Sequence, residues 1–207
     1  MNRPIRTLPD SVPPRHSRDL PASVAAILLF CRHALSLLVI LMATYGPSHA
    51  QGKTEEYHVK AGFLFHFAQL VDWPNAAAGG PAFDLCTLGD DPFRGELENT
   101  LNGKVIGSKP IRVLHLKQPQ EAGSCQVLFI SNDEDPHLSK LFEGLGNSAV
   151  MTVGESEDFI SRGGMIRFTL DQDKVRFEIN LKASDPAGLK FSSRLLLLAK
   201  NVFGKQG

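Results

Sequence analysis

The 207-residue chain balances 22 Lys and Arg against 22 Asp and Glu, and 43% of its residues are hydrophobic. The balance is uneven along the chain. The first 50 residues hold five of the basic and two of the acidic side chains, so residues 51–207 carry 17 against 20, a net charge of about −3. No basic stripe remains there, which excludes nucleic-acid binding driven by backbone charge.

The amino-terminal region reads as a secretion signal. Arg3, Arg6, Arg15, Arg18 and Arg32 make a positive leader, and Ala34–Ala43 is an apolar run too short to span a bilayer comfortably. Ser48-His49-Ala50 places small residues where signal peptidase requires them. Cleavage after Ala50 is expected; retention of the segment as a membrane anchor is the competing reading. Removing 50 of the 207 residues leaves 157, enough for one domain with a proper core.

The mature chain opens on EYHVKAGFLFHFAQLVDWP, Glu56 to Pro74. Val59, Phe63, Phe67 and Leu70 recur at helical spacing, and Pro74 is expected to end the helix at Trp73. His66 reads as a packed core histidine. Tyr57, Phe65 and Trp73 are surplus aromatics, either further core cover or a partner-docking or self-association surface. Ala82–Leu88 is a strand broken by Gly89-Asp90-Asp91-Pro92, and Phe93–Leu101 a two-turn helix. Ile111–Leu116 is the next strand, and Gln126–Ser131 is apolar throughout, as for a strand buried on both faces. His137–Leu145 reads as a helix, Ala149–Val153 as a strand, and Glu157–Ser161 as a short helix. Met165–Leu170 and Val175–Leu181 alternate with period two, as in an antiparallel hairpin. Pro186–Phe203 closes the chain as an amphipathic helix with Leu189, Leu195, Leu196, Ala199 and Val202 as its stripe, its start from Ala187 being extended or irregular. Alternating strands and helices imply a single α/β domain: a mostly parallel sheet with an antiparallel edge hairpin and flanking helices.

Chemistry-bearing residues are sparse. Cys86 and Cys125, the two cysteines beyond residue 50, have no CxxC or CxxH neighbour and read as a disulfide of an exported protein. Asp90 and Asp91 sit at a strand end, where α/β sheets bind ligands, or they cap the following helix. Asn180, Lys190, Ser192 and Arg194 form a polar strip, read as backbone satisfaction with Asn180 pinning the last segment, or as a small pocket for an anion or other ligand. The acidic run Asp133-Glu134-Asp135 lacks the regular oxygen spacing of a calcium loop. There is no GxSxG, HExxH or phosphate-binding glycine loop, and Ser192-Ser193 has no identifiable base. No catalysis, cofactor or metal is expected.

EYHVKAGFLFHFAQLVDWP, LCTLGDDPFRGELE, NGKVIGSKPIRVLHL, CQVLFIS, GGMIRF and VRFEINLKASDPAGLKFSSRLLLLAKNV, in this order, resemble the YfiR family of exported proteins from Glu56 to about Val202. The resemblance implies a Rossmann-like domain in the periplasm of a Gram-negative bacterium and a regulatory role. Family members bind the periplasmic sensor domain of an inner-membrane diguanylate cyclase and hold it inactive, which lowers cyclic di-GMP and restrains biofilm growth. An outer-membrane lipoprotein can sequester such a regulator. Cys86 and Cys125 match the family's recurrent disulfide positions, whereas the second cysteine pair of some members is missing. The alternative is a periplasmic small-molecule-binding protein serving a transporter or sensor kinase, but 157 residues provide one lobe where such proteins usually clamp a ligand between two. Protein purified from the periplasm is expected to begin at Gln51; amino-terminal sequencing that reads Met1 overturns cleavage.

Overall fold

The computed structural model describes residues 48–74 and 80–205, with side chains from residue 52 onward. The expected signal lies outside the described residues, apart from the three that open the first helix.

Helix α1 (Ser48–Gln69) leads to β1 (Val71–Asp72) and β2 (Phe83–Leu88). Helix α2 (Glu96–Leu101), β3 (Val105–Ile106) and β4 (Lys109–Leu116) follow, then β5 (Val127–Ile130), α3 (Leu138–Leu145) and β6 (Met151–Gly154). Strands β7 (Ile166–Asp171) and β8 (Lys174–Asn180) precede α4 (Leu181–Ser184), β9 (Lys190–Phe191), α5 (Ser193–Leu198) and β10 (Asn201–Phe203). One eight-stranded sheet has the order β10-β8-β7-β6-β5-β2-β4-β3, and β1 pairs with β9 in a separate antiparallel ribbon. The run β4-β2-β5-β6-β7 is parallel throughout. In chain order it reads second, first, third, fourth, fifth, a doubly wound order with its reversal between β2 and β5. The β7–β8 hairpin is antiparallel, with β10 added in parallel outside it.

Strand β5 shows why both faces must be covered. Val127 and Phe129 belong to one buried cluster, and Leu128 and Ile130 to the other, as period-two alternation demands. On the first face α1 packs Leu64, Phe67 and Ala68 onto Phe168 and Phe177 of the hairpin. The Phe67 ring lies 4.7 Å from Phe177 edge-on and 5.6 Å from Phe168 stacked. Each fully buried phenylalanine contributes about 1.5–3 kcal/mol over an exposed one. The second face is covered by Leu138, Leu141 and Leu145 of α3 together with Phe159. Phe159 lies against Gly154 and Gly164, where a Cβ at either position would overlap its ring.

Several elements differ from the sequence reading. Helix α1 ends at Gln69, because Val71 and Asp72 pair with Phe191 and Lys190 before Pro74 is reached. Its buried face is rotated: Val59 is 37% exposed, while Ala61 and Leu64 are fully buried. His66 is exposed, with Nδ1 3.3 Å from Gln69 Oε1, and is not a core histidine. Residues 157–161 form turns instead of a helix. The closing helix shrinks to α5, capped by Ser192, and Val202 lies in β10.

Cys86 and Cys125 form the disulfide, closing 39 residues and joining β2 to the approach of β5 inside the second cluster. Closing a loop of this size stabilises by up to ~4 kcal/mol in the chain-entropy account. Cys86→Ser is expected to lower the urea-unfolding free energy by up to that amount, and the oxidised protein to titrate no thiol when denatured. Two thiols per chain in protein taken directly from the periplasm overturn the bridge.

Candidate functional site

In doubly wound sheets the ligand crevice lies past the carboxyl ends of the strands flanking the reversal, here the segments after β2 and β5. Gly89 takes φ +87 after β2, and a Cβ there would meet Asp133 Oδ1 at 2.7 Å. The Asp90 amide donates to the Asp133 carboxylate at 3.1 and 3.2 Å. Asp91 Oδ1 accepts from the Phe93 amide at 3.0 Å, turning the chain ahead of α2. A carboxylate from the β5 side thus occupies the position at which an anion would be bound elsewhere.

The remaining pocket candidates are placed apart. Asn180 donates to the carbonyls of Ile160 and Gly164, both at 3.2 Å, so it ties β8 to the segment between β6 and β7 instead of pinning the last segment. Lys190 is exposed in β9, opposite Asp72. Ser192 Oγ accepts from the Leu195 amide at 3.3 Å and its amide donates to Leu70 O at 2.9 Å, so it caps α5 and joins it to α1. Arg194 lines a separate hollow beside Phe63, His66 and Leu198.

The docking aromatics are half-buried and packed against the first cluster. Tyr57 meets Phe93 edge-on at 5.3 Å and donates its hydroxyl to Glu155 Oε2 at 3.0 Å. Trp73 Nε1 donates to Ala68 O at 3.0 Å, and the ring stands edge-on to Phe83 at 5.2 Å. Phe65 lies under the Lys104 ammonium at 4.8 Å.

The densest polar group is one that the sequence reading missed. Lys60, 3% exposed, donates to Glu56 on its own helix and to Glu155 Oε1 at 2.6 Å, and lies 4.3 Å over the Tyr57 ring. Nearby, Arg167 Nε donates to Glu178 Oε2 at 3.0 Å, and Asn201 donates to Glu178 Oε1 at 2.7 Å. Glu56, Lys60, Glu155, Arg167 and Glu178 line a hollow of about 690 Å³ beyond the end of β6. A buried ammonium needs its carboxylates, because removing one partner of such a pair costs about 3–5 kcal/mol. The network therefore fixes α1 to the end of β6. Glu56 at four residues' spacing was the only signal in the sequence; Glu155 is 95 residues away.

The arrangement defines a small doubly wound α/β domain, in which Lys60 and Arg167 are held by internal carboxylates and the Asp133 carboxylate lies at the sheet's reversal. The chain belongs to the YfiR/HmsC-like family, whose sequence model matches residues 57–200. That family is known for periplasmic regulators of diguanylate cyclases. Among the described residues no helix is long and apolar enough to cross a membrane. The fold is similar to that of a conserved domain protein from Vibrio cholerae O1 biovar El Tor, with TM-score 0.50 and 9% identity over 69% of this chain and 59% of that one. An ABC domain in complex with L-Trp from Streptococcus pneumonia matches with TM-score 0.44 and 10% identity over 58% of this chain and 55% of that one. The chain thus spans less than two-thirds of either structure.

Burial raises the Tyr57 phenol well above its ordinary value, and the Glu155 charge and hydrogen bond push the same way. The chain has two tyrosines, and Tyr45 lies within the expected signal, so a processed protein reports Tyr57 alone. A raised folded value means that this contribution to stability is whole below the unfolded pKa of about 10 and fades as pH rises past it. Tyrosinate absorbance of the folded protein is expected to stay absent at pH 11 and to appear on unfolding; ionisation near pH 10 in the folded state contradicts the buried pair.

Proposed function

We propose that the chain is a periplasmic repressor that docks on the periplasmic sensor domain of an inner-membrane diguanylate cyclase and holds the enzyme inactive, lowering cyclic di-GMP. The observation that carries this reading is the family match, which runs from Tyr57 to Lys200 and so takes in most of α1, the strands from β1 to β9 and the Lys60–Glu155 pair. A repressor of this kind acts through preferential affinity for the inactive cyclase and needs no reacting groups of its own. The internal pairing of Lys60 with Glu155 and of Arg167 with Glu178 accords with that, since it leaves binding to shape and surface. An outer-membrane lipoprotein that competes for the same regulator supplies the release. With one disulfide in place and no second cysteine pair, release through a second bridge has no basis in this chain.

Deleting the gene in its native host is expected to raise cellular cyclic di-GMP, and plasmid-borne expression to restore the lower level. An unchanged nucleotide level while the cyclase is expressed overturns the proposal.

A further inference from the structure

Four consecutive residues of one strand, Arg167, Phe168, Thr169 and Leu170, line the hollow beyond β6. Successive strand residues point to opposite faces, so a hollow touched by all four runs along the strand's edge. The pairing explains the opening. Strand β6 stops at Gly154, opposite Arg167, whereas β7 continues to Asp171. On the other side β8 pairs with β7 along its whole length. The Asn180 amide donates to Met165 O at 2.7 Å, which sets the alternation: Arg167, Thr169 and Asp171 bond to β8, while Phe168 and Leu170 face the β6 side. Past Gly154 the carbonyl of Phe168 and both backbone groups of Leu170 therefore face the hollow. Among the described residues no backbone bond outside the strand ladders reaches them. The Thr169 hydroxyl at the same place is buried and unpartnered.

The rim is acidic. Lys60 is shared by Glu56 and Glu155, Arg167 is matched by Glu178, and Lys200 by Asp171 at 3.2 Å. This leaves one carboxylate of the Lys60 group in excess, with Glu157 beside it on the lining.

We infer that this edge is where a partner docks, by adding an extended segment that carries a Lys or Arg side chain alongside Phe168–Asp171. Four strand residues span about 13 Å, room for a short added strand bonded through the main chain. The basic side chain meets the excess carboxylates of Glu157 and the Lys60 group. Resting on the functional reading above, the segment belongs to the cyclase's periplasmic domain.

Leu170→Pro tests this directly. It removes the outward N–H without touching the bonds to β8, a position where an open edge tolerates proline, and Leu170 is 54% exposed. With the isolated periplasmic domain of the host's diguanylate cyclase as the probe, calorimetry is expected to show binding weakened up to ~10-fold, as loss of one good hydrogen bond predicts. The thermal transition stays within a few degrees of wild type. Glu157→Lys, a change at an exposed loop position, is expected to weaken binding most at low salt, and it provides the reading if the proline variant fails to fold. Wild-type affinity in a folded Leu170→Pro, or in Glu157→Lys at low salt, overturns the edge while leaving the repressor reading intact. A change in self-association with cyclase binding untouched assigns the edge to a second copy and overturns it equally. Absence of binding by the wild-type protein removes the repressor reading and this inference together.

Discussion

A parallel sheet exposes apolar side chains on both faces, and among the described residues there is one long helix with which to cover them. The 22 residues of α1 take the first face, and the eight of α3 are the longest helix on the second. The shortfall is met by Phe159, by the turn before β5 and by the disulfide, whose Cys86 and Cys125 lie in that second cluster. The bridge therefore stands on the face with less helical cover, where tethering the approach of β5 to the neighbouring β2 replaces packing that a further helix would supply.

On the first face the price of α1 is a charge. The helix brings Lys60 into the interior, and only carboxylates at hand make that tolerable. Glu155, immediately after β6, serves Lys60 and Tyr57 at once through its two oxygens. The same side chain thus orients the helix and adds to the rise of the phenol that burial begins. Asp133 does comparable work at the sheet's reversal, where its carboxylate accepts the Asp90 amide. Glu155 after β6 and Asp133 after β5 are thus both acids that answer to internal donors.

How much of this was legible depended on the range of the signal. The unbroken apolar run at β5 and the alternation of β7 and β8 are local, and all three strands follow from them. The cysteines paired because no other chemistry was available to them nearby. Periodicity misjudged α1, since it counted Val59 as apolar and had no means to see that Lys60, one residue on, is drawn inward by an acid 95 positions later. The closing segment failed for another reason. Leu195, Leu196, Ala199 and Val202 do fit a helical stripe, but Lys190 and Phe191 find partners in β1 and Asn201–Phe203 find theirs in β8. Tertiary pairing overrode local propensity at both places. Among the site residues, Asp91 and Ser192 were readable as turn and cap formers. The edge beside Leu170 was not, because an unpaired strand edge is a property of where a neighbour stops.

Why β6 stops is itself a packing matter. At Gly154 and again at Gly164 the backbone lies against the Phe159 ring, with no room for a Cβ. Burying that ring in the second cluster, 5.6 Å from Phe142, draws the intervening chain toward the α3 side. Chain drawn there cannot also run on beside β7, so β7 outlasts its neighbour. Sheets commonly blunt their outer edges by keeping them short, and β3 and β10, of two and three residues, do so here. The inner edge is guarded differently, by the charged rim of Glu155, Glu157 and Arg167. Such a rim deters apolar strands from pairing indiscriminately, yet it remains open to a segment of complementary charge. The ring that completes the core is thus also what leaves this stretch of strand unpaired.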